Sequence, residues 1–195
     1  MALLNSAWDR FPSRGTLSAS EKSYWMEFLS MLAPGSGEKI LDIGAGDCSK
    51  AAKVLEASPG AEVYAVDPNE KRIAAARRQR PQVKSSVAGA ECLPFPDSHF
   101  DKAYSTMALH HFTDMDKALG EVTRVLRPGG LYVILEVEPH SVFGRLFRFF
   151  GGLMGEKMQI MSQDQLLARL KQVAGLQVTN SAGFGSTYLV RLARA

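Results

Sequence analysis

Two carboxylates and two glycines stand where strands should give way to helices, and together they could seat a nucleotide-like ligand. Asp42 lies two residues before Gly44 in the run Ile40-Leu41-Asp42-Ile43-Gly44-Ala45-Gly46-Asp47-Cys48. Glycine lets the backbone turn sharply and approach a ligand with no Cβ in the way. A helix N-terminus after such a turn presents N–H groups to it. Asp67 closes a second apolar run, Val63-Tyr64-Ala65-Val66-Asp67, 25 residues after Asp42. A carboxylate only accepts hydrogen bonds, so Asp67 suits a pair of ligand hydroxyls. Each acid also has a plainer role open to it. Asp67 would serve as a turn or helix cap before Pro68, and Asp42 as an acid holding the glycine turn by its N–H groups. The turn does not complete G-x-G-x-x-G, because Ser49 occupies the third glycine position.

His110 and His111 are the other candidates for chemistry. A histidine can remove a proton near neutral pH. Adjacent side chains diverge in an extended or turn segment, so one of the two at most faces a substrate. No nearby Cys or His completes a metal-ligand set, and no metal is expected. No catalytic triad is visible.

These residues need a scaffold that alternates strands with helices. Lys39 to Ile43 reads as a buried strand, and Ser49 onward as a helix with Ala51, Ala52, Val54 and Leu55 on one face. Further strands are expected at 61–66, 83–88, 100–105, 131–137, 176–181 and 187–193. Helices are expected over 18–32, from Asn69 to about Arg80, from Thr113 or Asp114 to Leu126, and from Ser162 to about Val173. Ser18-Ala19-Ser20-Glu21 and Ser162-Gln163-Asp164-Gln165 are possible capping boxes. The alternation predicts a parallel sheet covered on both faces, with its ligand crevice at the carboxyl ends of the strands. The short link between the last two strands forces an antiparallel pair.

The 195 residues suffice for one α/β domain, and 46% hydrophobic with 22% charged residues is a globular composition. A net charge of +3 is too small to argue for nucleic acid. Two cysteines, Cys48 and Cys92, make no disulfide framework and suit a reducing cytoplasm. No apolar run reaches the roughly 18 residues of a spanning helix, and no secretory signal is visible.

Taken together, the stretches Ile40 to Gly46, Val63 to Asp67, Leu93-Pro94-Phe95-Pro96-Asp97 with Phe100-Asp101, Leu109-His110-His111 and Val125-Leu126-Arg127-Pro128-Gly129-Gly130 closely resemble the class I S-adenosylmethionine (SAM) methyltransferases. The likeness is to the branch that includes the ubiquinone/menaquinone C-methyltransferases. It implies a Rossmann-like sheet of seven strands in the order 3-2-1-4-5-7-6, with the last strand antiparallel. It implies residues 1–195 as one domain, with a helical arm at 1–37 and a substrate lid at 138–161. SAM would be the methyl donor and S-adenosylhomocysteine (SAH) the product, with a small and possibly lipophilic acceptor. A SAM-binding regulatory or partner protein without catalysis is the alternative, and the C-terminal hairpin disfavours a nicotinamide enzyme.

The resemblance assigns Asp67 to the ribose hydroxyls, Gly44 and Gly46 to the methionine carboxylate through their N–H groups, and Asp42 to the ammonium. Ala45, Pro68, Ala90, Glu91, Ser105 and Met107 complete the implied cofactor set. Two positions depart from the family. Cys48 replaces a frequent glycine, and its thiol could face the cofactor. Gly89 replaces the usual acidic reader of adenine, leaving Glu91 or the Ala90 backbone to substitute. Leu-His-His occurs with many substrates in the family, which favours a structural role for His110 and His111. In the lid, Phe143, Leu146, Phe147, Phe150, Leu153 and Met154 share one helical stripe, and Gly151-Gly152 should interrupt or bend the helix. The stripe would either pack on the sheet or cover an apolar substrate. With Arg145, Arg148 and Lys157 beside it, the segment 142–157 could touch a membrane surface. A nucleic-acid partner is not expected, and the oligomeric state is left open.

Overall fold

The computed structural model describes residues 19–153 and 158–195. The expectations for residues 1–18, for the first capping box and for Met154 and Lys157 lie outside the described residues.

Seven strands form one sheet in the order β3-β2-β1-β4-β5-β7-β6. They are β1 (Lys39–Ile43), β2 (Glu62–Asp67), β3 (Lys84–Val87), β4 (Phe100–Thr106), β5 (Leu126–Val137), β6 (Leu176–Gly183) and β7 (Thr187–Arg194). β7 pairs antiparallel with both β5 and β6, while the pairs among β1 to β5 are parallel. The helices are α1 (Ala19–Leu32), α2 (Ser49–Ala57), α3 (Glu70–Gln79), α4 (Met115–Val125), α5 (Val142–Leu153) and α6 (Gln163–Leu170), with a 3-10 turn at Leu109–His111.

Strand alternation builds a core on each face of the sheet. Leu41, Ile43, Tyr132 and Ile134 pack with Leu119 and Val122 of α4 and Leu166 and Leu170 of α6. Ile40, Tyr104, Val133 and Leu135 face the other way, onto Phe28 of α1, Val54 of α2 and Ile73 of α3. Local chemistry sets the helix starts. Asn69 accepts from the Lys71 and Arg72 N–H groups, Asp114 accepts from Lys117, and Ser162 with Gln165 completes the second capping box.

Two boundaries differ from the sequence reading. β5 begins at Leu126, opposite Phe100, and resumes at Leu131 opposite Lys102. The Pro128-Gly129-Gly130 segment therefore loops out of a strand rather than merely ending a helix. α5 runs through Gly151-Gly152 without a break. Gly144 and Gly151 serve close approach instead: a Cβ on Gly144 would stand 2.0 Å from the Glu138 carbonyl oxygen, and one on Gly151 would stand 1.8 Å from Met158 Cε, while one on Gly152 would meet nothing. Among the described residues no helix is long and apolar enough to cross a membrane.

Candidate functional site

A cavity of about 590 Å³ opens at the carboxyl ends of β1 to β4 and runs beneath α5. Gly44, Asp67, Pro68, Ala90, Glu91 and Met107 line it, as do Asn69, Arg72, Gly89, Phe112, Phe143, Phe147 and both His110 and His111. Asp42, Ala45, Gly46 and Ser105 of the expected set do not reach its wall. Ser105 is buried, with its hydroxyl 2.8 Å from that of Tyr132.

The glycine turn is fastened to β2. The Gly44 and Ala45 N–H groups both donate to the Val66 carbonyl at 2.9 Å, and Gly46 N–H donates to Asp67 Oδ2 at 2.9 Å. Asp67 Oδ1 accepts from Asn69 N–H at 2.9 Å. Each carboxylate oxygen thus spends one lone pair on the backbone and keeps one. The turn needs its first glycine. Gly44 has φ +76°, and a Cβ there would meet the Ala108 Cβ at 2.4 Å.

Asp42 is fully buried, makes no well-formed hydrogen bond, and has the Tyr104 hydroxyl as its polar neighbour. Burial pushes its carboxyl up to about 8, partly offset by the neighbouring Tyr104 hydroxyl and reinforced by the Asp67 charge. So the acid that holds the turn is Asp67, not Asp42. Asp42 lies behind the turn and off the cavity wall, as a buried acid without a well-formed hydrogen bond.

Cys48 does not face the cavity. It caps α2 with φ 60°, the left-handed conformation in which glycine is at ease, and its side chain is buried in the core. Burial and the nearby Asp42 charge push the thiol up to about 12, so it is inert. Glu91 Oε1 accepts from Thr113 N–H at 2.7 Å and Asp114 N–H at 3.2 Å, at the start of α4. Its Oε2 stands 3.1 Å from where a side chain at Gly89 would begin. Glu91 therefore fills the space an acid at position 89 would use.

The histidines are not equivalent. His110 is buried, and its Nδ1 lies 2.7 Å from Glu136 Oε2. Glu136 Oε1 accepts from Leu109 N–H at 2.7 Å. Sequence reasoning missed Glu136, although an acid inside the apolar run of β5 was the available signal, because a buried acid needs partners. Met107, just past β4, has φ 53°. A non-glycine residue in that region is uncommon and clusters at functional sites.

The chain matches a methyltransferase-domain family over residues 41–134. It is 38% identical over 165 residues to a demethylmenaquinone methyltransferase of Thermus thermophilus, covering 72% of this chain and 75% of that protein. It is 38% identical over 127 residues to a ubiquinone/menaquinone biosynthesis C-methyltransferase of Bordetella parapertussis, covering 62% of this chain and 49% of that one. The match thus spans about half the length of the latter relative. Among solved structures, a chain of the complex between the Haloferax volcanii Trm112 methyltransferase activator and a methyltransferase shares the fold. Its TM-score is 0.80 at 16% identity, over 98% of this chain and 97% of that one.

Proposed function

Because this chain belongs to the class I SAM-dependent methyltransferases, in the branch of the ubiquinone/menaquinone C-methyltransferases, we propose that it methylates a lipophilic acceptor of the quinol type held under α5. The observation that carries this reading is the cavity's two-sided wall. On the β2 and β3 side it offers Asp67, Asn69 and Glu91, and under α5 it offers Phe143 and Phe147.

SAM supplies a methyl group on a sulfonium that is already a good leaving group. The protein's share is to bind, align and exclude water. Asp67 takes the ribose hydroxyls with its two remaining lone pairs. Gly44 borders the methionine portion, Gly46 holds the turn through Asp67, and the charge of Asp42 behind the turn favours the ammonium. Glu91 stands in for the missing acid at Gly89 toward adenine, with Pro68, Ala90 and Met107 closing the walls. Ala45 and Ser105 support this site from behind.

The acceptor chemistry favours the reduced ring, because an electron-rich carbon is the nucleophile. α5 also offers a way to reach such a compound. Val142, Leu146, Phe149, Phe150 and Leu153 are all exposed, on the side opposite buried Gly144, Phe147 and Gly151, with Arg145 and Arg148 along one flank. That pattern suits a helix lying on the anionic surface of a membrane, reached from the cytoplasm.

The test is transfer of a labelled methyl group from SAM to a short-chain demethylmenaquinol kept reduced. Labelled product is expected with the quinol and not with the quinone. Normal SAH binding without transfer to any quinol overturns the acceptor assignment.

A further inference from the structure

We propose that His110 is the general base of the reaction, that Glu136 is its positioning residue, and that the acceptor therefore carries an acidic hydroxyl. The inference rests on the methyltransferase reading of this cavity and goes beyond it by naming the group that activates the nucleophile.

His110 is held from both sides of its ring and backbone. Its Nδ1 is 2.7 Å from Glu136 Oε2, and its carbonyl accepts from Gln159 N–H at 2.9 Å. Glu136 is itself fixed by the Leu109 N–H at 2.7 Å. Phe147 meets the His110 ring edge-on with centroids 5.3 Å apart, and His111 lies 4.2 Å away on another side. A carboxylate at Nδ1 takes the Nδ1–H, so the free lone pair is on Nε2. That nitrogen is buried and has no hydrogen-bond partner, on a residue that lines the cavity beside Phe143 and Phe147. Here one nitrogen is locked to Glu136, and the other is left without a protein partner on a residue that borders the cavity.

The step balances as follows. The acceptor O–H bond breaks, its proton passes to His110 Nε2, and its electron pair moves into the ring. The new C–CH3 bond forms at a ring carbon as the S–CH3 bond breaks, and the departing pair stays on the donor sulfur. The ring proton then leaves to solvent, and His110 returns its proton to the oxygen as aromaticity is restored.

The experiment compares wild type, His110→Gln and Glu136→Gln in the full chain. With the reduced short-chain demethylmenaquinol, His110→Gln should lower kcat about 10²- to 10⁴-fold, and Glu136→Gln should lower it less. KM, SAH affinity and melting temperature should stay near wild type. A second readout needs no turnover. 4-Nitro-1-naphthol is titrated into the SAH-bound protein below its own pKa, and wild type should bind it as the coloured anion while His110→Gln should not. An anion band equally strong in His110→Gln, no band in wild type, or a kcat loss under threefold overturns the proposal. A His110-dependent anion band without methylation of any quinol removes the quinol assignment and leaves the base in place.

Discussion

At the scale of single residues, the two acids of the glycine turn divide the work unequally. Asp67 is already satisfied by two backbone N–H groups, so it organises the site before any ligand arrives. Asp42 is buried without a well-formed hydrogen bond, and burial raises its carboxyl to about 8. Its sign is opposite to that of a salt-bridged acid. Between about pH 4 and pH 8 the unfolded chain carries the carboxylate while the fold holds the acid protonated. The fold therefore binds more protons, and the ligand-free protein loses stability as pH rises through that window, by up to about 1.4 kcal/mol per pH unit. A cationic ligand group beside Asp42 favours the charged form. Affinity for SAH should therefore increase from pH 6 to pH 8, and the increase should vanish in Asp42→Asn. Calorimetric titrations at three pH values measure both, and an equal pH dependence in the variant would reassign Asp42.

At the scale of elements, α5 decides the shape of the proposed acceptor end. The seat beneath it is made by absent side chains, since Gly144 lets the helix approach the Glu138 carbonyl. Gly144→Ala forces a Cβ to 2.0 Å from that oxygen, and backbone cannot swing away as a flexible side chain can. Such overpacking typically costs about 1–3 kcal/mol. The expected result is a raised acceptor KM, with SAH affinity within about threefold of wild type, because the Asp67 and glycine-turn end does not involve α5. If Gly144→Ala leaves acceptor kinetics unchanged, the helix is not the wall of the acceptor site. The same geometry answers the question left by the aromatic stripe. Among the described residues of the stripe, Phe147 is buried while Phe143, Leu146, Phe150 and Leu153 are exposed. The described stripe is therefore mostly not core, and its Phe143 and Phe147 border the cavity.

At the scale of the whole molecule, the exposed face of α5 gathers most of the exposed large hydrophobic side chains among the described residues. Of the eight exposed large hydrophobic residues among those described, six lie on this helix. A surface of anionic lipid would bury them and pair with Arg145 and Arg148. Basic residues near such a surface contribute about 1 kcal/mol each. Arg145 and Arg148 changed together to Glu should weaken sedimentation with anionic vesicles more than tenfold and leave binding to neutral vesicles little changed. Leu146, Phe149 and Phe150 changed together to Ser should abolish both without lowering the melting temperature, because all three are exposed. Vesicle binding that both variants retain removes the membrane from the proposed function.

The sequence by itself determined the alternation of strands with helices and the antiparallel closing pair, while the strand order was implied by the family resemblance and agrees with the sheet. Strand and helix periodicity is written locally, the parallel crossovers have one hand, and the short link before β7 permits only an antiparallel pair. The caps Asn69, Asp114 and Ser162 were legible for the same reason, since each acts within a few residues of itself. What tertiary structure decided was which of several plausible groups meets which. Asp67 rather than Asp42 fastens the glycine turn because β2 ends directly beside it. Glu91 reaches toward the space beside Gly89 because α4 starts where its other oxygen is anchored. Glu136 locks His110 across 26 positions of sequence, and α5 turns its aromatic stripe outward because its glycines, not its phenylalanines, fit against Glu138 and Met158. Those outcomes depend on distances between segments remote in the chain, which no local pattern of residues encodes.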